Sequence, residues 1–188
     1  MAMFRTLERK PLYRGKVVNL RIDTLDLGGG HQVQREIVEH RGAVVVAALD
    51  PQERVLLVRQ YRHATGETLL ELPAGTLEPG EEPLATAIRE LQEETGFYPG
   101  HIEKTGGFYS APGFCTEFLH LFVARDLRPQ PLDGDIDEEI EVVPVDLGRV
   151  PELVVSGQVK DAKSIAGLYV LELLAREPRP GGRDRAHK

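Results

Sequence analysis

Residues 75–97, GTLEPGEEPLATAIRELQEETGF, gather glutamates around a single arginine in what reads as a loop running into a short helix. Pro79, Gly80 and Pro83 are start signals, nothing from Leu84 to Thr95 interrupts a helix, and Gly96 offers a stop. Leu84, Ala87, Ile88 and Leu91 recur at helical spacing and are expected to form the buried stripe. On such a helix Glu90 and Glu94 lie about 40° apart around the axis, with Glu93 about 60° from Glu90 on the other side. Three carboxylates therefore share one flank. Like charges at this spacing repel by a few tenths of a kcal/mol per pair (roughly 0.2–0.5), so the flank calls for a positive partner. Hard divalent cations such as Mg²⁺ take oxygen ligands and bridge carboxylates to phosphates. Three nearby glutamates alone are more often a solvated acidic face, and only a wider pattern can decide.

That pattern is present. Gly75, Glu81, Arg89-Glu90, Glu93-Glu94, Gly96 and Phe97 occupy every defined position of the Nudix hydrolase signature, which this stretch resembles without a departure. The resemblance implies hydrolysis of a diphosphate linked to another moiety, by water attack on phosphorus with Mg²⁺ or Mn²⁺. It implies Glu90 and Glu94 as metal ligands, with Glu93 close by and a backbone carbonyl from Ala74. Arg89 and Glu81 are then expected to orient those carboxylates, a task suited to the arginine fork. An ordinary helix salt bridge is the alternative for Arg89.

The flanks bear on the substrate. Pro112 lies fifteen positions after Phe97 in the string Ser110-Ala111-Pro112-Gly113-Phe114-Cys115-Thr116-Glu117. Pro112, Gly113 and Glu117 resemble the ADP-ribose pyrophosphatase branch, although Pro-Gly alone is also a plain turn pair. Arg35, in Arg35-Glu36-Ile37, and Arg62, in Arg59-Gln60-Tyr61-Arg62, also resemble that branch and are implied to reach the diphosphate; its planar fork suits arginine to phosphate oxygens. The acidic run 133–139 ends in Glu138 and Glu139 before an apolar strand. By composition it is an acidic loop. The resemblance makes Glu138 the candidate base or metal ligand and Glu139 the alternative. ADP-ribose, cleaved to AMP and ribose 5-phosphate, is thus the expected substrate. Another nucleoside-diphosphate sugar such as GDP-mannose comes second, and a catalytically idle nucleotide-sugar-binding domain third.

These residues need a scaffold, and 188 residues with 41% hydrophobic content suffice for one cored domain with appendages. The longest apolar run, Ala43 to Leu49, is far short of a membrane span, and the start MAMFRTLERK lacks a signal peptide's apolar core, so a cytoplasmic protein is expected. The lone Cys115 excludes an internal disulfide and reads as a packed side chain. A net charge of −7 disfavours nucleic-acid binding.

Ala43 to Leu49 and Val55 to Tyr61, joined by Asp50-Pro51-Gln52-Glu53, read as a hairpin. Leu69 to Leu72, Phe118 to Ala124 and Ile140 to Val145 read as further strands, and Ala162 to Arg176 as a helix with Ile165, Leu168, Leu171, Leu173 and Leu174 on a broad apolar face. Val17 to Leu27 and Gln32 to Glu39, around Gly28-Gly29-Gly30, read as an antiparallel hairpin that needs a partner surface. The expected class is α/β of the α+β type. The resemblance implies an α/β/α sandwich with a mixed sheet over residues 43–176. It also implies an N-terminal β region, 1–42, that is exchanged in a homodimer. Residues 177–188, rich in proline and glycine, are expected to be loose.

Overall fold

A computed structural model describes residues 4–134 and 139–176. In chain order, β1 (Arg5–Arg14), β2 (Val18–Gly28) and β3 (His31–His40) precede β4 (Ala43–Ala48), β5 (Arg54–Arg62), β6 (Glu67–Glu71) and β7 (Ala74–Thr76). Then come α1 (Pro83–Thr95), β8 (Phe97–Tyr109), β9 (Phe118–Pro129), β10 (Ile140–Asp146), α2 (Val150–Val155) and α3 (Ala162–Arg176).

The centre is β4, whose six residues AVVVAA are all buried, as befits a strand covered on both faces. It runs parallel to β9 and antiparallel to the short β7, in a mixed sheet ordered β7-β4-β9-β8. Val44, Val46 and Ala48 pack with Ala87 and Leu91 of α1, whereas Val45, Ala47 and Leu49 pack with β5 and with Leu168 and Leu171 of α3. Period-two alternation thus sends successive β4 side chains into two cores and places α1 and α3 on opposite faces. Leu91 is fully buried, which is worth about 1.5–3 kcal/mol to the attachment of α1.

The expected hairpin between residues 43 and 61 does not form. β5 belongs to a separate antiparallel sheet, β10-β5-β6; its side chains pack on β4, but the two segments share no ladder beyond the isolated bridge Leu49–Val55. Asp50 turns the chain tightly, accepting from the N–H groups of Gln52 and Arg54. The strands part there because β4 finds its ladder partners in β7 and β9.

Helix α1 starts with Pro83 in its first turn and ends at Gly96, whose left-handed backbone (φ 78°) directs its N–H to the Gln92 carbonyl. Two apolar expectations fail. Leu84 is 48% exposed at the start of α1, and Ile165, Leu173 and Leu174 lie on the outer side of α3. In both helices the buried face is narrower than the hydrophobic pattern. Among the described residues no helix is long and apolar enough to cross a membrane.

The N-terminal hairpin is present and gains β1 as a third strand in the order β1-β2-β3. This sheet is tied to the 110–117 loop: Val38 donates its N–H to the Phe114 carbonyl and accepts from Thr116 N–H.

Candidate active site

The site begins where β7 meets α1. Pairing of Val44 with Gly75 and of Val45 with Ala74 lays that segment beside the central strand, and α1 then returns across it. The buried Glu94 carboxylate accepts the Ala74 N–H at 3.0 Å. Glu90 lies so close to Gly75 that a Cβ there would displace its carboxylate.

Arg89 ties the carboxylates together. Its Nε and Nη2 donate to the two Glu81 oxygens at 3.1 and 3.2 Å, and its Nη1 meets Glu93 at 2.7 Å and Glu90 at 2.9 Å. Glu81 also accepts the Glu78 N–H, which fixes the loop ahead of the helix. The hydrogen bond from Arg89 holds the Glu81 carboxyl below its ordinary range against the opposing effect of burial. The same bond to Glu81, with the charges of Glu90 and Glu93, keeps the Arg89 guanidinium still more firmly protonated although burial opposes it. Arg89 thus contacts one carboxylate of the loop and two of the helix.

These groups form one wall of a cleft of about 930 Å³. Ala74, Gly75, Arg89, Glu90, Glu93 and Glu94 line that wall, Arg62 approaches from β5, and Gly134 and Ile140 also line the cleft. Lys16 and Arg41 reach it from the N-terminal side, where Arg41 Nη2 donates to the Lys16 carbonyl at 2.7 Å. Lys16, Arg41 and Glu78 line the cleft without any local sequence pattern that marks them.

Other expected residues stand apart. Arg35 is exposed on β3, where its Nη1 donates to the Gln34 carbonyl. Pro112 and Gly113 are exposed in the loop docked on β3, and Glu117 lies 3.5 Å from His40 Nδ1. None of these four lines the cleft within one chain. Glu139 is exposed next to Ile140, and Glu138 lies outside the described residues.

Among the described residues no three acidic, histidine or cysteine side chains converge as a finished ion cage, and Arg89 supplies the positive charge beside Glu90 and Glu93. The donor set nevertheless fits a hard divalent cation. Three carboxylates and a main-chain segment share one wall, and the missing Cβ of Gly75 leaves Glu90 room beside the strand.

A NUDIX domain model matches residues 39–162. The chain is 39% identical over 171 residues to an ADP-ribose pyrophosphatase of Bacillus subtilis, covering 90% of this chain and 92% of the relative. A methanol dehydrogenase activator of Bacillus methanolicus is 34% identical over the same shares. A GDP-mannose pyrophosphatase of Salmonella paratyphi B is 33% identical, covering 92% of this chain and 97% of that protein. A crystal structure of an ADP compounds hydrolase superposes with a TM-score of 0.83 over 93% of this chain and 95% of that one, at 23% identity, which establishes the shared fold.

Proposed function

The chain belongs to the NUDIX family, and on that premise we propose that it hydrolyses the diphosphate of ADP-ribose to AMP and ribose 5-phosphate. One observation carries this: Glu90, Glu93, Glu94, the Ala74-Gly75 segment and Arg62 face a single cleft large enough for a nucleotide sugar.

In the reaction water adds to one phosphorus and the bridging P–O bond breaks. Glu90 and Glu94, with Glu93 and the Ala74 carbonyl, would hold Mg²⁺ or Mn²⁺, which supplies charge neutralisation of the diphosphate and a more acidic attacking water. Arg89 and Glu81 hold the carboxylates in place. Arg62 binds and orients the diphosphate with its guanidinium charge, and Lys16 and Arg41 add positive charge at the rim. A carboxylate of the 138–139 loop takes the proton from water, Glu138 first and Glu139 as alternative. Retained turnover in both Glu138→Gln and Glu139→Gln would place the base elsewhere.

Arg35, Pro112, Gly113 and Glu117 complete the substrate site from a second copy in a homodimer. Supporting that assembly, the β1-β2-β3 sheet exposes Leu7, Leu12, Tyr13 and Val18. Light scattering of the purified protein measures it.

The likeness to the GDP-mannose pyrophosphatase supports that sugar as the competing substrate. The purified protein is therefore assayed with Mg²⁺ and with Mn²⁺ on a panel of nucleoside-diphosphate sugars. Fastest release of AMP and ribose 5-phosphate from ADP-ribose is the expected result, and faster cleavage of GDP-mannose reverses the assignment.

A further inference from the structure

Glu71 ends β6 with its side chain only 2% exposed. A carboxylate so deeply buried requires partners, and its partners lead to the cleft. Arg62 donates Nε to both carboxylate oxygens at 3.2 Å and Nη2 to Oε2 at 2.7 Å. Lys163 Nζ forms an ion pair with the same Oε2.

Lys163 is itself held. Asp161 Oδ1 accepts from Lys163 Nζ at 2.9 Å and from the Ser164 N–H at 3.0 Å, where it caps the start of α3. One residue beyond Glu71, the Leu72 N–H donates to Ser164 Oγ at 2.7 Å. The first turn of α3 therefore clamps the end of β6, and β6 runs directly on to Ala74 and Gly75. Among the described residues, Arg62 and Lys163 face Glu71, and Lys163 also faces Asp161. Burial pushes the Glu71 carboxyl up, but the bond from Arg62 and the charge of Lys163 outweigh it and leave Glu71 ionised.

An unrestrained arginine side chain loses rotamer entropy whenever it is ordered on an anion. Two-point contact along the Nε–Nη2 edge fixes the guanidinium plane in advance, which is preorganisation. Apolar residues of similar volume often replace such a buried cluster without loss of stability, which points to a role for its charges beyond stability.

We propose that Glu71, set in place by Lys163 and Asp161, is a positioning residue that presents the Arg62 guanidinium to the diphosphate of the substrate. This rests on Arg62 being a diphosphate contact.

The test compares wild type, Arg62→Ala, Glu71→Gln, the double variant of those two, and Glu71→Gln/Lys163→Met. ADP-ribose kinetics, calorimetric binding of inorganic pyrophosphate and thermal midpoints are measured for each. Arg62→Ala is expected to raise KM about ten- to hundredfold, and Glu71→Gln about tenfold, mainly in KM rather than kcat. In the double variant Glu71→Gln adds nothing to Arg62→Ala, because it acts through that arginine. Glu71→Gln/Lys163→Met removes one charge of each sign, so it regains the thermal midpoint while KM stays high. Independent multiplication of the two losses, recovery of KM with the midpoint, or an unaffected Arg62→Ala overturns the proposal. Should the wild type cleave no nucleoside-diphosphate sugar, the substrate assignment falls, and the pyrophosphate affinities decide alone. Coupled losses then sustain the positioning role, and independent losses or no binding by wild type overturn it.

Discussion

A Cβ on Gly75 would stand 1.9 Å from the carboxyl carbon of Glu90. The obstructing atoms are the tip of a flexible side chain, so an alanine there drives Glu90 aside rather than disrupting the core. Gly75→Ala should therefore leave the thermal midpoint nearly unchanged. The Mg²⁺ concentration giving half-maximal turnover should rise about ten- to hundredfold, the range seen when support for a metal ligand is lost. A metal titration of activity checks it, and an unshifted curve would detach Glu90 from the ion.

Glu94 offers a complementary test. Its Oε2 accepts the Ala74 N–H, a bond that a glutamine side-chain oxygen can also accept. Glu94→Gln removes charge with little change of shape, so without Mg²⁺ its midpoint should stay within about 4 °C of wild type. Mg²⁺ should raise the wild-type midpoint, since an ion bound to the native state stabilises it, and should not raise that of the variant. Scanning calorimetry with and without Mg²⁺ reads both.

Glu90, Glu93 and Glu94 were legible in the sequence because helical spacing is local and fixes their common flank without knowledge of the fold. The same locality misled at Val55 to Tyr61. Adjacency suggests that this strand pairs with Ala43 to Leu49, whereas ladder partners from β7 and β9 take both edges of β4 and only Leu49 bridges to Val55. Strand β8 escaped notice because Pro99, Gly100, Gly106 and Gly107 interrupt its pattern. Glu71 was invisible for a different reason. Its partner Lys163 lies 92 positions away, and nothing local distinguishes a buried paired glutamate from a solvated one.

Acid stability follows from Glu71 and Asp50. Both carboxyls lie below their ordinary values in the fold. For Glu71 burial is opposed by Arg62 and Lys163, and for Asp50 burial is opposed by the bonds from Arg54 and the Gln52 N–H. A depressed folded value means the stabilisation is complete above the unfolded value, about 4 for either residue, and is lost as pH falls through the folded value. Stability should therefore fall steadily below about pH 4. Glu71→Gln should flatten that fall by up to one proton, or about 1.4 kcal/mol per pH unit. Urea unfolding of both proteins between neutral pH and pH 2.5 provides the comparison, and parallel curves would exclude Glu71 as a contributor.

Arg89 joins the loop acid Glu81 to the helix acids Glu90 and Glu93, using both edges of its guanidinium. A lysine keeps the charge but offers a single ammonium, which cannot span that set. Arg89→Lys is therefore expected to lower kcat/KM for ADP-ribose about ten- to hundredfold and to weaken the response to Mg²⁺. Glu81→Gln loosens the same link from the other end. If the two residues act as one support, the double variant should lose little beyond Arg89→Lys alone. A salt bridge important only for stability would behave differently: it would lower the midpoint in each variant while leaving the Mg²⁺ response intact. Measuring midpoint and Mg²⁺ dependence on the four proteins of this cycle separates the two roles, and additive losses in turnover would mean that Glu81 and Arg89 serve the site independently.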